Sequence, residues 1–220
     1  MAASLVAALV VCVISFFLGS IPWGLIISKT VYHTDIREHG SGNIGTTNAM
    51  RTMGKKGGIA VFLLDFGKGL LSGVIALAAL WLLVPGAGLT PGAPVSREMM
   101  LALATLSCTL GHIFSPWLGF HGGKGIAVAI GALCLAFGPV GAFVEVFCIF
   151  APLVLITRYV SVGSIASAAL CPVIAAFLFW GNWPVILMYA LTGGTVVWAH
   201  RANIKRLMAG TESRIGSKKK

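Results

Sequence analysis

Acid is scarce in this chain: six Asp and Glu residues stand against sixteen Lys and Arg among 220 positions, a formal net charge of +10. Charge of either sign is sparse, at 10% of residues, while 57% are hydrophobic. That balance excludes an ordinary soluble domain and points to an all-α integral membrane protein. The five cysteines (Cys12, Cys108, Cys134, Cys148 and Cys171) all fall in apolar runs, and none forms a CxxC pair. No Cys/His cluster has zinc-like spacing. A disulfide framework is therefore not expected, nor a metal or other cofactor, and the thiols read as small apolar packing groups. The polar segments hold no pair of carboxylates suited to act as acid and base, and nucleic acid is not an expected partner.

What the chain has is long apolar runs. Residues 4–28 form the first, with no Lys or Arg ahead of it as a cleaved signal would need, so it reads as a transmembrane helix with its N-terminus outside. Pro22 and Gly24 are positions for a kink, which spanning helices tolerate. A polar loop over 29–57 carries five cations against Asp35 and Glu38, and the positive-inside rule places it in the cytoplasm. Further spans are expected at about 58–84, 99–118, 125–139, 140–157, 161–180 and 183–199. In the second, Asp65 and Lys68 share a face and are expected to pair. The Pro/Gly-rich loop 85–98 holds one cation, Arg97, and reads as external. The run from 126 to 157 is divided at Gly138-Pro139 because one long helix would put Arg158 and the basic tail outside. Seven spans, N-terminus outside and C-terminus cytoplasmic, leave 14 of the 16 cations in cytoplasmic segments or at their edges; Lys68 and Arg97 are the exceptions. The terminal lysines suit anionic lipid.

This topology gathers three polar segments (35–56, 119–125 and 200–214) on one membrane face. The first contains GSGNIGTTNAMRTMGKK, Gly40–Lys56. Glycines let backbone N–H groups converge. Ser41, Asn43, Thr46, Thr47 and Asn48 add side-chain donors, Gly42 adds a flexible amide, and Arg51 adds charge: an anion site that suits phosphate. The same letters also fit a juxtamembrane loop whose cations only set topology. GSGNIG matches GxGxxG but follows no strand, which excludes a dinucleotide fingerprint. GFHGGKG, Gly119–Gly125, is one residue short of a P-loop, with Gly125 where Ser or Thr would hold magnesium. The physics still carries over: Gly122 and Gly123 offer amides, Lys124 a charge, and the following helix its positive end. A tight turn between spans accounts for the same residues. His200 can serve as a base or donor, and Asn203 as a donor or helix cap. No HxxxxD signature and no GxSxG elbow occurs. The supply of donors and cations binds phosphates and stabilises developing negative charge. A second reading of seven spans with a basic mouth is a transporter or channel for phosphorylated or anionic small molecules.

GSGNIGTTNAMRTMGKKGG, LDFGKG, GHIFSPWLGFHGGKGIA and HRANIKRLMAGTESRIG together resemble the bacterial membrane acyl-phosphate:glycerol-3-phosphate acyltransferases, the PlsY family, over most of the chain. The resemblance implies acyl transfer from acyl phosphate to the 1-hydroxyl of sn-glycerol 3-phosphate, giving lysophosphatidic acid and phosphate in the bacterial cytoplasmic (inner) membrane. It also implies coupling to an enzyme that makes acyl phosphate. Carried over position by position, it marks Ser41 and Arg51 in the first motif, Gly122, Gly123 and Lys124 in the second, and His200 and Asn203 in the third. His121 stands where relatives can carry Lys, and Ala202 where they can carry Glu, so roles assigned to those side chains do not transfer.

Overall fold

The computed structural model describes residues 2–84 and 95–216. Most of the loop expected at 85–98 and the three terminal lysines lie outside the described residues. The described chain is helical, with no strand. Helices α1 (Ala2–Ser20) and α2 (Trp23–Thr30) make up the first apolar run, broken at Ile21-Pro22. Proline has no N–H to continue the ladder, and at this break the Ile21 carbonyl, beside the Trp23 N–H at 3.1 Å, takes the Lys68 ammonium at 2.8 Å.

Helix α3 (Thr46–Leu83) begins twelve residues before the expected start of the second span, inside the stretch read as loop. Nothing in Thr46–Met53 breaks a helix, and Ala49 and Met53 bury an apolar face there against Ile36 and Ile44. Gly54, at φ 73° and ψ −174°, then bends the chain into the long apolar part of α3.

Helix α4 (Arg97–Ile113) is capped by the Ser96 hydroxyl, which accepts the Met99 N–H at 3.2 Å. Helix α5 (Ile126–Ala136) has 11 residues, a rise of about 16 Å and roughly half the hydrocarbon thickness. Gly138, at φ 68°, ends it. Pro139 then sits in the first turn of a continuous rod made of α6 (Gly138–Phe143), a π-helical stretch (Val144–Phe150) and α7 (Ala151–Thr157). The division of the 126–157 run is therefore 11 and 20 residues rather than 15 and 18. Helices α8 (Val160–Leu178), α9 (Trp183–Ala199) and the short polar α10 (Arg201–Met208) complete the chain.

Among the described residues five helical units are long and apolar enough to cross a membrane: Ala2–Thr30, Thr46–Leu83, Arg97–Leu118, Gly138–Thr157 and Val160–Leu178. Two shorter apolar helices, Ile126–Ala136 and Trp183–Ala199, fill the gaps. The helices meet through small residues, as helices in lipid do. A methyl group on Gly19 would strike the Cys108 backbone of α4, and one on Gly69 the Val128 backbone of α5. Large apolar side chains such as Leu155, Ile156 and Phe177 are left on the outside. The exit of α1, the start of α3, the exit of α4, the start of α5 and the exit of α9 come together at one end of the bundle, and a cavity opens there.

Candidate functional site

The cavity has a volume of about 980 Å³ and is lined from all three polar segments. Asn48 organises the first of them. Its Nδ2 lies 2.9–3.1 Å from the carbonyl oxygens of Ile36, His39 and Asn43, and its Oδ1 accepts the Ser41 N–H at 2.9 Å. The side chain is 2% exposed and saturated. It therefore shapes the loop and has little left for a ligand. Gly40 and Gly42 hold positive φ in the same turn, and the Gly42 N–H closes on the His39 carbonyl at 3.0 Å. This turn delivers Ser41 to the cavity wall. Asn43 Oδ1 accepts the Gly45 N–H at 2.9 Å, and Gly45 leads into α3 with no side-chain cap. The positive end of α3, with Thr46 and Thr47, faces the cavity, and Arg51 follows one turn later. The hydroxyls of Thr46 and Thr52 are buried without a partner.

The second segment places Lys124 on the wall, but not by the expected use of its glycines. The Gly122 N–H donates to the Ile113 carbonyl at 2.9 Å and the Gly123 N–H to the His112 carbonyl at 3.0 Å. Neither residue lines the cavity, nor does Gly42. The expected convergence of these amides on an anion is thus not formed at Gly122 and Gly123: the C-terminal carbonyls of α4, orphaned at the helix end, take them first. Both glycines are needed for contact instead, since a methyl group on either would strike His112.

The third segment supplies His200, Asn203 and Arg206. His200 is 2% exposed, and its Nδ1 lies 2.8 Å from the Val196 carbonyl. A carbonyl only accepts, so Nδ1 carries the proton and Nε2 is left as an acceptor. Burial, reinforced by Lys124, pushes the imidazole pKa down to about 4, so the ring is neutral at pH 7. Burial also lowers Lys124, to about 8, helped by the charges of Arg206 and Arg51 and opposed by Glu212.

Glu212 is the residue that sequence reasoning missed. Its Oε1 takes the Asn203 Nδ2–H at 2.7 Å and the Ser161 hydroxyl at 3.0 Å, and its Oε2 takes Arg206 Nε–H at 2.6 Å. Burial alone would raise its pKa, but these three donors hold it below the ordinary glutamate value. Gly210, at φ 69°, ends α10 and turns the tail back so that the carboxylate reaches all three. A signal was present: Glu212 is the lone acid among residues 200–220. One consequence falls on Asn203. An N–H expected for a ligand is taken by Glu212, and its Oδ1 is left buried without a partner.

Asp65, His112 and Ser164 also line the wall, and one part of it is apolar. Phe62 of α3, Ile126, Ala127 and Ile130 of α5, and Val146 and Phe150 of the π-helical stretch line it. A hydrocarbon chain and two anionic groups can thus share one cavity. Of the residues marked from sequence, Ser41, Asn43, Thr46, Thr47, Asn48, Arg51, Lys124, His200 and Asn203 line this cavity.

Comparison with known proteins follows the same lines. The family model described as "Glycerol-3-phosphate acyltransferase" matches residues 9–210. A glycerol-3-phosphate acyltransferase of Thermosynechococcus vestitus is 39% identical over 207 residues, covering 93% of each chain. One from Rhodopseudomonas palustris is 42% identical over 209 residues, covering 94% of each. Among solved structures, PlsY, an integral membrane glycerol 3-phosphate acyltransferase, superimposes in its glycerol 3-phosphate form with a TM-score of 0.80. It is 33% identical, over 95% of this chain and 96% of that one. Its lysophosphatidic acid form gives a TM-score of 0.77.

Proposed function

The chain belongs to the PlsY family of glycerol-3-phosphate acyltransferases, and from that premise we propose direct acyl transfer from acyl phosphate to the 1-hydroxyl of sn-glycerol 3-phosphate. The products are lysophosphatidic acid and inorganic phosphate. The observation that carries this reading is the meeting of Arg51, Lys124 and Arg206 with an apolar wall around one cavity. Such a wall suits the acyl chain and such cations suit phosphate.

Arg51, Lys124, Ser41 and the start of α3 hold the phosphates and align the hydroxyl against the acyl carbonyl. The hydroxyl oxygen bonds to the carbonyl carbon, and the bond from that carbon to the phosphate oxygen breaks. Gly122 and Gly123 have no amide to offer the oxyanion, so that charge falls to Lys124, Arg51 and the α3 N-terminus. The proton of the hydroxyl passes to a phosphate oxygen. A phosphate monoester titrates near about 6, whereas His200, at about 4, is the weaker base. His200 Nε2 and Asn203 Oδ1 act as acceptors that orient the glycerol hydroxyls.

The seven apolar helical units correspond to seven membrane crossings, with the N-terminus outside and the cavity and C-terminus cytoplasmic. The cations at the cavity end support that orientation by the positive-inside rule. The membrane is the bacterial inner membrane, and an enzyme that forms acyl phosphate supplies the donor.

The test is turnover by purified protein in detergent, following phosphate and lysophosphatidic acid together. Stoichiometric products are expected with palmitoyl phosphate and none with acyl-CoA. The reverse donor preference overturns the donor assignment, and flux of glycerol 3-phosphate through liposomes without turnover overturns the enzyme reading in favour of transport.

The pH dependence follows from Lys124. Its ammonium is present below about 8 and lost above it. The kcat/KM is therefore expected to fall as pH rises through that value. The kcat limb lies at higher pH, because bound phosphate holds the proton on. Lys124→Arg is expected to remove the alkaline limb from both profiles.

A further inference from the structure

We infer that Lys68, paired with Asp65, is a positioning residue for Lys124: it locks His112, and His112 carries the turn that holds Lys124. The inference rests on the reading of Lys124 as a phosphate-binding group. The Lys68 ammonium hydrogen-bonds to the Ile21 carbonyl and to His112 Nδ1, and it faces Asp65 Oδ1 as an ion pair outside hydrogen-bond geometry. Asp65 Oδ1 lies at 2.9 Å, the Ile21 carbonyl at 2.8 Å and His112 Nδ1 at 2.9 Å. Asp65 stands on the same helix α3 as Lys68, while the two hydrogen-bond acceptors belong to the α1–α2 break and to the end of α4. Lys68 is 3% exposed and Asp65 2%, so water offers neither an alternative partner.

The chain of contacts continues from His112. With Nδ1 accepting from Lys68, the ring is held in one orientation. The His112 carbonyl takes the Gly123 N–H at 3.0 Å, and the ring packs so closely on Gly123 that a methyl group there would strike Nε2. Lys124 follows directly, and Gly125, at φ 84°, passes the chain into α5. Among the described residues Lys124 has no ion-pair partner within 4.0 Å to fix it from its own side. Its height in the cavity is therefore set through its backbone, and that backbone is pinned to His112. A buried ion pair is a poor device for stability alone, because an apolar pair of similar volume often does as well or better. Directional bonds from α3 to two other elements, the α1–α2 break and the end of α4, are what an apolar pair cannot supply.

The experiment is a double-mutant cycle on the full chain in detergent. Asp65→Leu with Lys68→Met removes both charges together, so no lone charge is buried. The pair is made in the native background and in Lys124→Ala, and kcat, KM and the thermal midpoint are measured for each. A midpoint close to the parent's is expected. The loss in kcat/KM is expected to be about 10- to 100-fold in the native background and under about 3-fold where Lys124 is already absent. Full activity in the pair variant overturns the inference, and so do equal losses in both backgrounds. Should the pair fail to fold, His112→Asn and His112→Leu take its place. Asn keeps an acceptor near Nδ1 and is expected to retain activity, while Leu is expected to lose it; equal losses sink the proposal. The same cycle read on Kd for inorganic phosphate by calorimetry needs no turnover. An enzyme that proves inactive with acyl phosphate therefore counts against the acyl-transfer reading and leaves this inference to its own result.

Discussion

Lys124→Ala is expected to lower kcat/KM for acyl transfer by about 10³-fold with little change in thermal stability. The magnitude is that of removing one preorganised charge from the place where negative charge develops, about 3–4 kcal/mol. Two features of this cavity support the upper end. Gly122 and Gly123, the amides nearest in sequence, are bonded to Ile113 and His112, so no backbone donor there stands in for the lost ammonium. Burial lowers the Lys124 pKa, which means its charge is poorly solvated in the cavity and gains most from a bound phosphate. Stability is little affected because the native state holds that charge at a cost. Steady-state rates at pH 7 and a melting curve check both halves. Near-native kcat/KM would remove Lys124 from the mechanism and shift the burden to Arg51 and Arg206.

The second large effect belongs to a residue that need touch no substrate. Asn48→Ala is expected to raise KM for glycerol 3-phosphate by about 100-fold and to lower the thermal midpoint by several degrees. The Asn48 amide joins the carbonyls of Ile36, His39 and Asn43 to the N–H of Ser41, four backbone groups of one loop. Removing this buried side chain takes the partner from the Ser41 N–H and the Asn43 carbonyl, at about 1–3 kcal/mol each, and leaves the Ile36 and His39 carbonyls only the turn N–H groups of His39 and Gly42. The loop relaxes to find water, and Ser41 moves with it. Asn48→Asp separates the two contributions. It keeps an acceptor for Ser41 but replaces the donor with a second carboxylate oxygen facing three carbonyls, so it is expected to be as damaging as alanine. An Asp variant with native KM would place the whole effect on Ser41 and none on the carbonyls.

Much of this arrangement was legible in the sequence. The apolar runs, the break at Gly138-Pro139 and the sidedness of the cations follow from composition and from the behaviour of proline and glycine, which are local. The gathering of the three polar segments at one end followed from the alternation of apolar runs and polar stretches. The bonding of individual groups did not. Asn48 reads as one more donor in a polar stretch, yet its partners lie 5 to 12 residues earlier in the chain. Gly122 and Gly123 read as phosphate-binding amides until the end of α4 claims them. Glu212 reads as a tail residue until Gly210 folds it back onto Ser161, Asn203 and Arg206.

By itself, then, the sequence determined the solvent and the grouping: apolar runs of membrane length exclude water, and their alternation with polar stretches brings three polar segments to one end of the bundle. Tertiary structure alone decided which donors remain available there. A backbone N–H or an amide bonds to whichever acceptor packing brings within reach, and at this site the carbonyls at the end of α4 and the carboxylate of Glu212 came within reach first.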